Sequence, residues 1–310
     1  MRSHALRVAV ALPFLTSCWD QPWPRPAAVP FEQFAVEHQE WRDGRRSRLV
    51  ASGSGPVLWI GLWELQQGAT ALGADSTLPI VLPASDSPRL VGTLHRSGQE
   101  IRFETAPGEG ATVLLADSTP VDGSLTLQND RSDSVTVLVL GSLRLRVHGE
   151  RGTDRLWLRV WDEELPARET FTLPDEFPLD TNWRVTARFR EYAEPRDFRV
   201  VDVVGGPQEF SSPGELIFRV GRQEHRLVAF ASSTSTDFFV IFRDSTAATT
   251  TYELGRYLHV PFADEDGWTA IDFNRAYNPP CVFTAYSTCA LPPPENRLAL
   301  AVQAGEKRGH

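Results

Sequence analysis

The chain has 310 residues, with 31 basic and 40 acidic side chains and a net charge of −9. A surface this acidic is a poor match for nucleic acid or anionic lipid head groups. The length allows two modest domains with cores of their own, and Lys307, the only lysine, is the one candidate for a lysine nucleophile.

Residues 1–17 have the layout of a secretory signal: Arg2 and Arg7, then an apolar run over residues 8–15, then the small residues Thr16 and Ser17. The segment Leu15-Thr16-Ser17-Cys18 resembles a lipobox, so Cys18 is expected to carry acyl chains and anchor the mature protein to a membrane. The competing reading is a buried helix from residue 1, since the apolar run is too short to span a bilayer. It leaves the cysteine after two small residues unexplained. The resemblance implies export. The absence of aspartate directly after Cys18 favours the outer membrane, facing the periplasm, if the cell has two. Pro22, Pro24, Pro26 and Pro30 make residues 18–30 an extended tether.

The spacing of Phe34, Trp41 and Leu49, with acids early and arginines late, predicts a helix over residues 31–49. From there the period becomes two. Strands are expected at 57–63, 90–94, 101–104, 135–140, 143–147 and 156–161, giving a β-sandwich over 50–162. A proline-rich linker at 163–182 leads to a second β domain, barrel or sandwich, over 183–307. Its strands are expected at 183–190, 215–220, 224–230, 238–242, 257–260, 269–273 and 298–302. The fold class is therefore mainly β with one N-terminal helix. Residues 274–297 hold five prolines and little periodicity; a loop this long in a compact domain is usually functional or disordered, and its aromatics and two cysteines favour order.

The familiar enzyme signatures are missing: no G-x-S-x-G, no phosphate-binding loop and no dinucleotide fingerprint. The mature chain's histidines, at 38, 95, 148, 225, 259 and 310, include no close pair, so neither a metal site nor a cofactor is expected. Cys281 and Cys289 are most simply a disulfide outside the cytoplasm. A catalytic thiol would want a histidine partner, and only distant ones exist.

Several strings in the second half carry a resemblance. Phe242-Arg243-Asp244, Thr251-Tyr252, Gly255-Arg256-Tyr257, the run from Asp272 to Cys281, the run from Cys289 to Leu298, and Gly305-Glu306-Lys307 occur in that order. This order resembles the bacterial and archaeal family known as domain of unknown function 1684, with Ala290 where that pattern has proline. The family implies no activity. In the first domain the segments Leu72-Gly73-Ala74-Asp75, Ile80-Val81-Leu82-Pro83, Leu90-Val91-Gly92-Thr93-Leu94 and Leu140-Gly141-Ser142-Leu143 resemble, in their order, the strand and loop signals of forkhead-associated domains. Ala74 replaces the arginine that reads phosphothreonine there, so the likeness implies the sandwich only.

Candidate ligand-binding residues cluster at strand ends and in the loop: Arg243, Asp244, Tyr252, Arg256, Tyr257, Asp272, Asn274, Tyr277, Asn278, Glu295 and Asn296. Two arginines among carboxylates and amides suit a small polar or anionic ligand. Asp272 and Glu295 are the candidates for general acid and base in a hydrolase of envelope or saccharide material. A third reading has no ligand: the charges pair with one another, the asparagines serve the loop backbone, and the protein is a structural part of the envelope.

Overall fold

The computed structural model describes residues 23, 29–85, 87–108 and 112–309. The signal segment, Cys18 and most of the tether lie outside the described residues. Helix α1 spans Phe31–Leu49, as its spacing predicts, with Glu32 in the first turn and Arg46 and Arg48 in the last. Its buried face is Phe34, His38, Arg45 and Leu49, so it docks by charge as much as by apolar contact. His38 Nε2 lies 3.0 Å from a Glu176 oxygen, and Arg45 forks onto the carboxylate of Glu306, with Nη2 at 2.9 Å. Among the described residues no helix is long and apolar enough to cross a membrane.

Among the described residues ten strands form the first body: β1 Trp59–Glu64, β2 Gly68–Gly73, β3 Ile80–Val81, β4 Gly92–Ser97, β5 Glu100–Thr105, β6 Leu114–Leu115, β7 Ser124–Leu127, β8 Leu138–Leu140, β9 Leu143–Gly149 and β10 Leu156–Asp162. They make two five-stranded sheets, in the orders β1-β10-β9-β8-β6 and β3-β2-β4-β5-β7. Leu72, Leu94, Phe103 and Leu127 of one sheet share a core with Leu140, Leu145, Val147 and Leu158 of the other. The inner faces therefore pack as a sandwich. Strand β9 alternates strictly, with Leu143, Leu145 and Val147 buried and Arg144, Arg146 and His148 on the outer face. Its neighbour β10 is buried on both faces from Leu156 to Trp161, which places Arg159 under cover.

The cover comes from the second body. Its strands are β11 Arg184–Val201, β12 Pro207–Val220, β13 Gln223–Ala229, β14 Asp237–Phe242, β15 Arg256–Pro261 and β16 Trp268–Asp272. They pair as β13-β12-β11-β16 and β14-β15, and a bridge between Phe230 and Phe239 carries the first set toward the second in a curled half-barrel. Phe218, Val240, Leu258, Ile271 and Phe273 fill the interior. The long β11–β12 hairpin slips register between Glu191 and Arg196, a bulge that bends the ribbon.

Two expectations change here. Residues 56–58 form a short 3-10 turn before β1 rather than the start of a strand. Residues 298–302 are not a strand but irregular backbone. Their polar groups go to side chains and to a neighbouring turn: Val302 N–H donates to Asp244 at 2.7 Å, and Val302 O accepts from Arg256 at 3.0 Å. Ser245 N–H donates to Leu300 O at 2.9 Å. A chain committed to those partners has no ladder left to make.

Candidate functional site

Most of the sequence-derived site residues are occupied with holding the second body together. Arg256 is 1% exposed, and its guanidinium donates to the carbonyls of Val302 and Ala304 and to Asp244 Oδ1, the last at 3.4 Å. Asp244 also accepts from Thr246 Oγ1 at 2.8 Å. Asn296, with no exposed surface, clamps three backbone groups: it accepts from Val228 N–H at 2.6 Å and donates to Val228 O and Ile241 O. Asn274 bonds both ways to the backbone of Asp180, and Asn278 donates to Lys307 O at 2.7 Å. The Tyr257 hydroxyl donates to Ala290 O at 2.8 Å, and Arg45 lies over the ring of Tyr277 at 4.5 Å.

Arg243, Arg256, Asp272 and Glu295, the charged candidates besides Asp244, do not converge on one another. Arg243 is exposed and donates to Glu253 O. Asp272 caps a 3-10 turn through Asn274 N–H at 3.1 Å and faces Arg275 at 3.5 Å. Glu295 is exposed on a separate groove beside the β11 bulge, near Arg190 and Arg226. The last motif has a structural reason too. Gly305 has φ 75°, and a Cβ there would sit 2.4 Å from Ala276 O. Only glycine lets the chain pass so close and deliver Glu306 to Arg45 and to Asn278 N–H.

Cys281 and Cys289 lie side by side as free thiols in this structure. Cys281 N–H donates to Cys289 Sγ at 3.0 Å, and the Tyr252 hydroxyl lies 3.6 Å from Cys281 Sγ. The hydrogen bond from Cys289 draws the Cys281 thiol below its ordinary range, and the same bond, with burial, pushes Cys289 up.

The cavity that the sequence did not reveal lies between the two bodies. It measures about 400 Å³. The outer face of β1, β9 and β10 and the adjoining turns supply Trp59, Asp130, Arg131, His148, Glu150, Arg151 and Arg159. The opposite wall comes from Phe210, Phe239 and Tyr257, and from Pro280 and residues 287–290 of the proline-rich loop. That loop therefore does line a cavity, although the charges belong to the other body.

Arg159 is the unusual group. It is 4% exposed, and among the described residues its guanidinium makes no hydrogen bond and no ion pair. It stacks on Trp59, 4.0 Å from the ring centroid. The nearby carboxylate, Asp130, is already committed: it accepts from His148 Nδ1 at 2.7 Å and Gly149 N–H at 3.0 Å, and faces Arg146 Nε at 3.6 Å. Burial, with Arg146 adding to it, brings the Arg159 guanidinium down to about 10, still cationic at neutral pH. For His148, burial outweighs the bond to Asp130 and lowers the imidazole from its ordinary value, so the ring is neutral at pH 7. Asp130 is itself held below its ordinary range, because His148, Gly149 and Arg146 together overcome its burial. It is thus ionised and can only accept. Nδ1 of His148 then carries the proton, and Nε2 presents a lone pair.

Sequence pattern held one usable signal. Arg144, Arg146 and His148 on β9 and Arg159 on β10 have the parity of one sheet face, which on β10 is otherwise Trp157 and Trp161. Among the described residues no group of three or more histidine, cysteine or carboxylate side chains could hold a metal ion.

No curated protein matches the chain. A solution structure of an uncharacterized protein from Haloarcula marismortui is similar to it, with 29% identity over 45% of this chain and 78% of the other, at a TM-score of 0.38. Residues 169–307, the second body with its loop and terminal motif, match the model of a family described as "Protein of unknown function (DUF1684)".

Proposed function

We propose that this is an exported, lipid-anchored protein that binds a small anionic ligand in the cleft between its two bodies. Arg159 carries the reading. A cation taken out of water without a carboxylate costs free energy unless something compensates it, and the cleft beside it has the volume of a small-molecule site, roughly 300–1,000 Å³. Arg131 and Arg151 add positive charge to the same cavity in an otherwise acidic protein. A hydrolase working through Asp272 and Glu295 has less support, because those carboxylates sit apart with other partners.

Without ligand, Arg159→Met should melt at or above the parent's temperature, since an apolar side chain replaces an unpaired buried charge. The variant should also lose the stabilisation that phosphate or acetate gives the parent. Stabilisation that persists in the variant, or a large loss of stability without ligand, sinks the reading.

The proposal extends to the chain's location. Cys18 is acylated and holds the protein to the membrane, on the periplasmic side of the outer one where two exist, and Cys281 and Cys289 join in that oxidising compartment. Intact mass of the membrane-extracted protein reads both features. Acyl mass should sit on the Cys18 peptide, and the 281–289 segment should lack two hydrogens; an unmodified N-terminus would end the anchoring part.

A further inference from the structure

We infer that the occupant of the cleft is a small organic oxyanion bearing a hydroxyl group, with its anionic end on Arg159 and its hydroxyl donating to His148 Nε2. This rests on the anion-binding reading and narrows it to a ligand class.

The strand register sets the spacing. His148 stands opposite Trp157, and Arg146 opposite Arg159. Opposed residues share a face and so do residues two apart, which makes His148 and Arg159 diagonal neighbours on the outer face of the sheet. Such neighbours have Cβ atoms about 7 Å apart, a gap that one small molecule bridges. Both side chains line the cavity.

Their hydrogen-bonding sense then selects the ligand. Arg159 can only donate, so it takes an anion. His148 donates its one N–H to Asp130, and Nε2 makes no hydrogen bond among the described residues. Its lone pair repels a bare anion and accepts from a donor. An ammonium donor is disfavoured by the guanidinium groups at or beside this face, among them those of Arg131, Arg146, Arg151 and Arg159. A neutral hydroxyl is not. Phe210, Phe239 and Pro280 supply an apolar wall for the carbon skeleton between the two ends. Either a carboxylate or a phosphate monoester satisfies Arg159, which binds both in two-point fashion.

The experiment is calorimetry on the purified full chain at neutral pH with two matched pairs: β-hydroxybutyrate against butyrate, and glycerol phosphate against propyl phosphate. The hydroxylated member should bind at least about tenfold tighter, a difference of 1.4 kcal/mol. The pair with the higher affinity identifies the anionic group. His148→Phe should equalise the members of a pair while keeping anion affinity. Asp130→Asn, which keeps His148 but no longer fixes its tautomer, should shrink the preference as well. Arg159→Met should lose both members. Equal, Arg159-dependent affinity within each pair overturns the hydroxyl inference and leaves anion binding standing, as does a preference that survives His148→Phe. If none of the four anions binds in an Arg159-dependent way, the anion reading falls and the hydroxyl inference with it.

Discussion

Asp244 and Arg256 are near neighbours in space because β14 and β15 pair with Phe242 opposite Arg256. Both side chains are buried, and between them they hold the backbone of residues 302–304. Removing the carboxylate would strand a guanidinium in the interior. Breaking a buried pair from one side typically costs about 3–5 kcal/mol. Asp244→Ala should therefore cost stability of that order in urea titration, whereas Arg159→Met should cost little. Similar losses in the two variants would mean that Arg159 also has a structural partner. The contrast explains why the chain's arginines could not be sorted by sequence alone. Arg256, in a recognisable motif, and Arg159, in an unremarkable apolar strand, are the same residue type at similar burial. What separates them is whether nearby acceptors are already taken, which depends on Asp130 choosing His148 and Arg146.

At the scale of elements, legibility followed the length and regularity of each pattern. Helix α1 was readable from its spacing and charge order, and β9 and β10 from alternating or apolar residues between clear turns. Strands β2, β3, β6 and β7 were missed: β3, β6 and β7 are only two to four residues long, and β2, Gly-Ala-Thr-Ala-Leu-Gly, is built mostly from Gly, Ala and Thr, which carry little period-two signal. Residues 298–302 went the other way. The sequence Leu-Ala-Leu-Ala-Val looks like a strand, but the carboxylate of Asp244 and the guanidinium of Arg256 outcompete a ladder for its backbone. The proline-rich loop was correctly marked as ordered, and the reason is visible in its partners. Asn296 and Asn278 satisfy backbone groups, and Tyr277 pairs with Tyr257 as an isolated bridge. The helix face was only half legible. Phe34 and Leu49 announced it, but His38 and Arg45 are buried because Glu176 and Glu306, far along the chain, meet them.

At the scale of the whole molecule, the two bodies meet at a second group of charges beside the cleft. Glu150, 1% exposed, faces Asp202 of the second body and lies 3.2 Å from Arg155, which also pairs with Glu64. Asp202 accepts from the N–H groups of Val204 and Gly206. Burial, followed by the hydrogen bond to Asp202, raises the Glu150 carboxyl from 4.5 to about 7, against the pull of Arg155. The folded form thus holds a proton that the unfolded chain gives up at lower pH. The sign follows from that difference: the contribution is fully present below about 4.5, declines as the pH rises, and is lost once the pH passes about 7. Stability should therefore fall between pH 5 and 7.5 in the parent. Glu150→Gln, which keeps the hydrogen bond to Asp202 without the titration, should flatten that slope. Urea midpoints measured across this range at constant ionic strength decide it. An unchanged slope in the variant would assign the pH dependence to other groups and leave Glu150 as a permanently charged partner of Arg155. Because Glu150 and Arg159 line the same cavity, a flattened slope would also tie the docking of the two bodies to the protonation state of the cleft's wall.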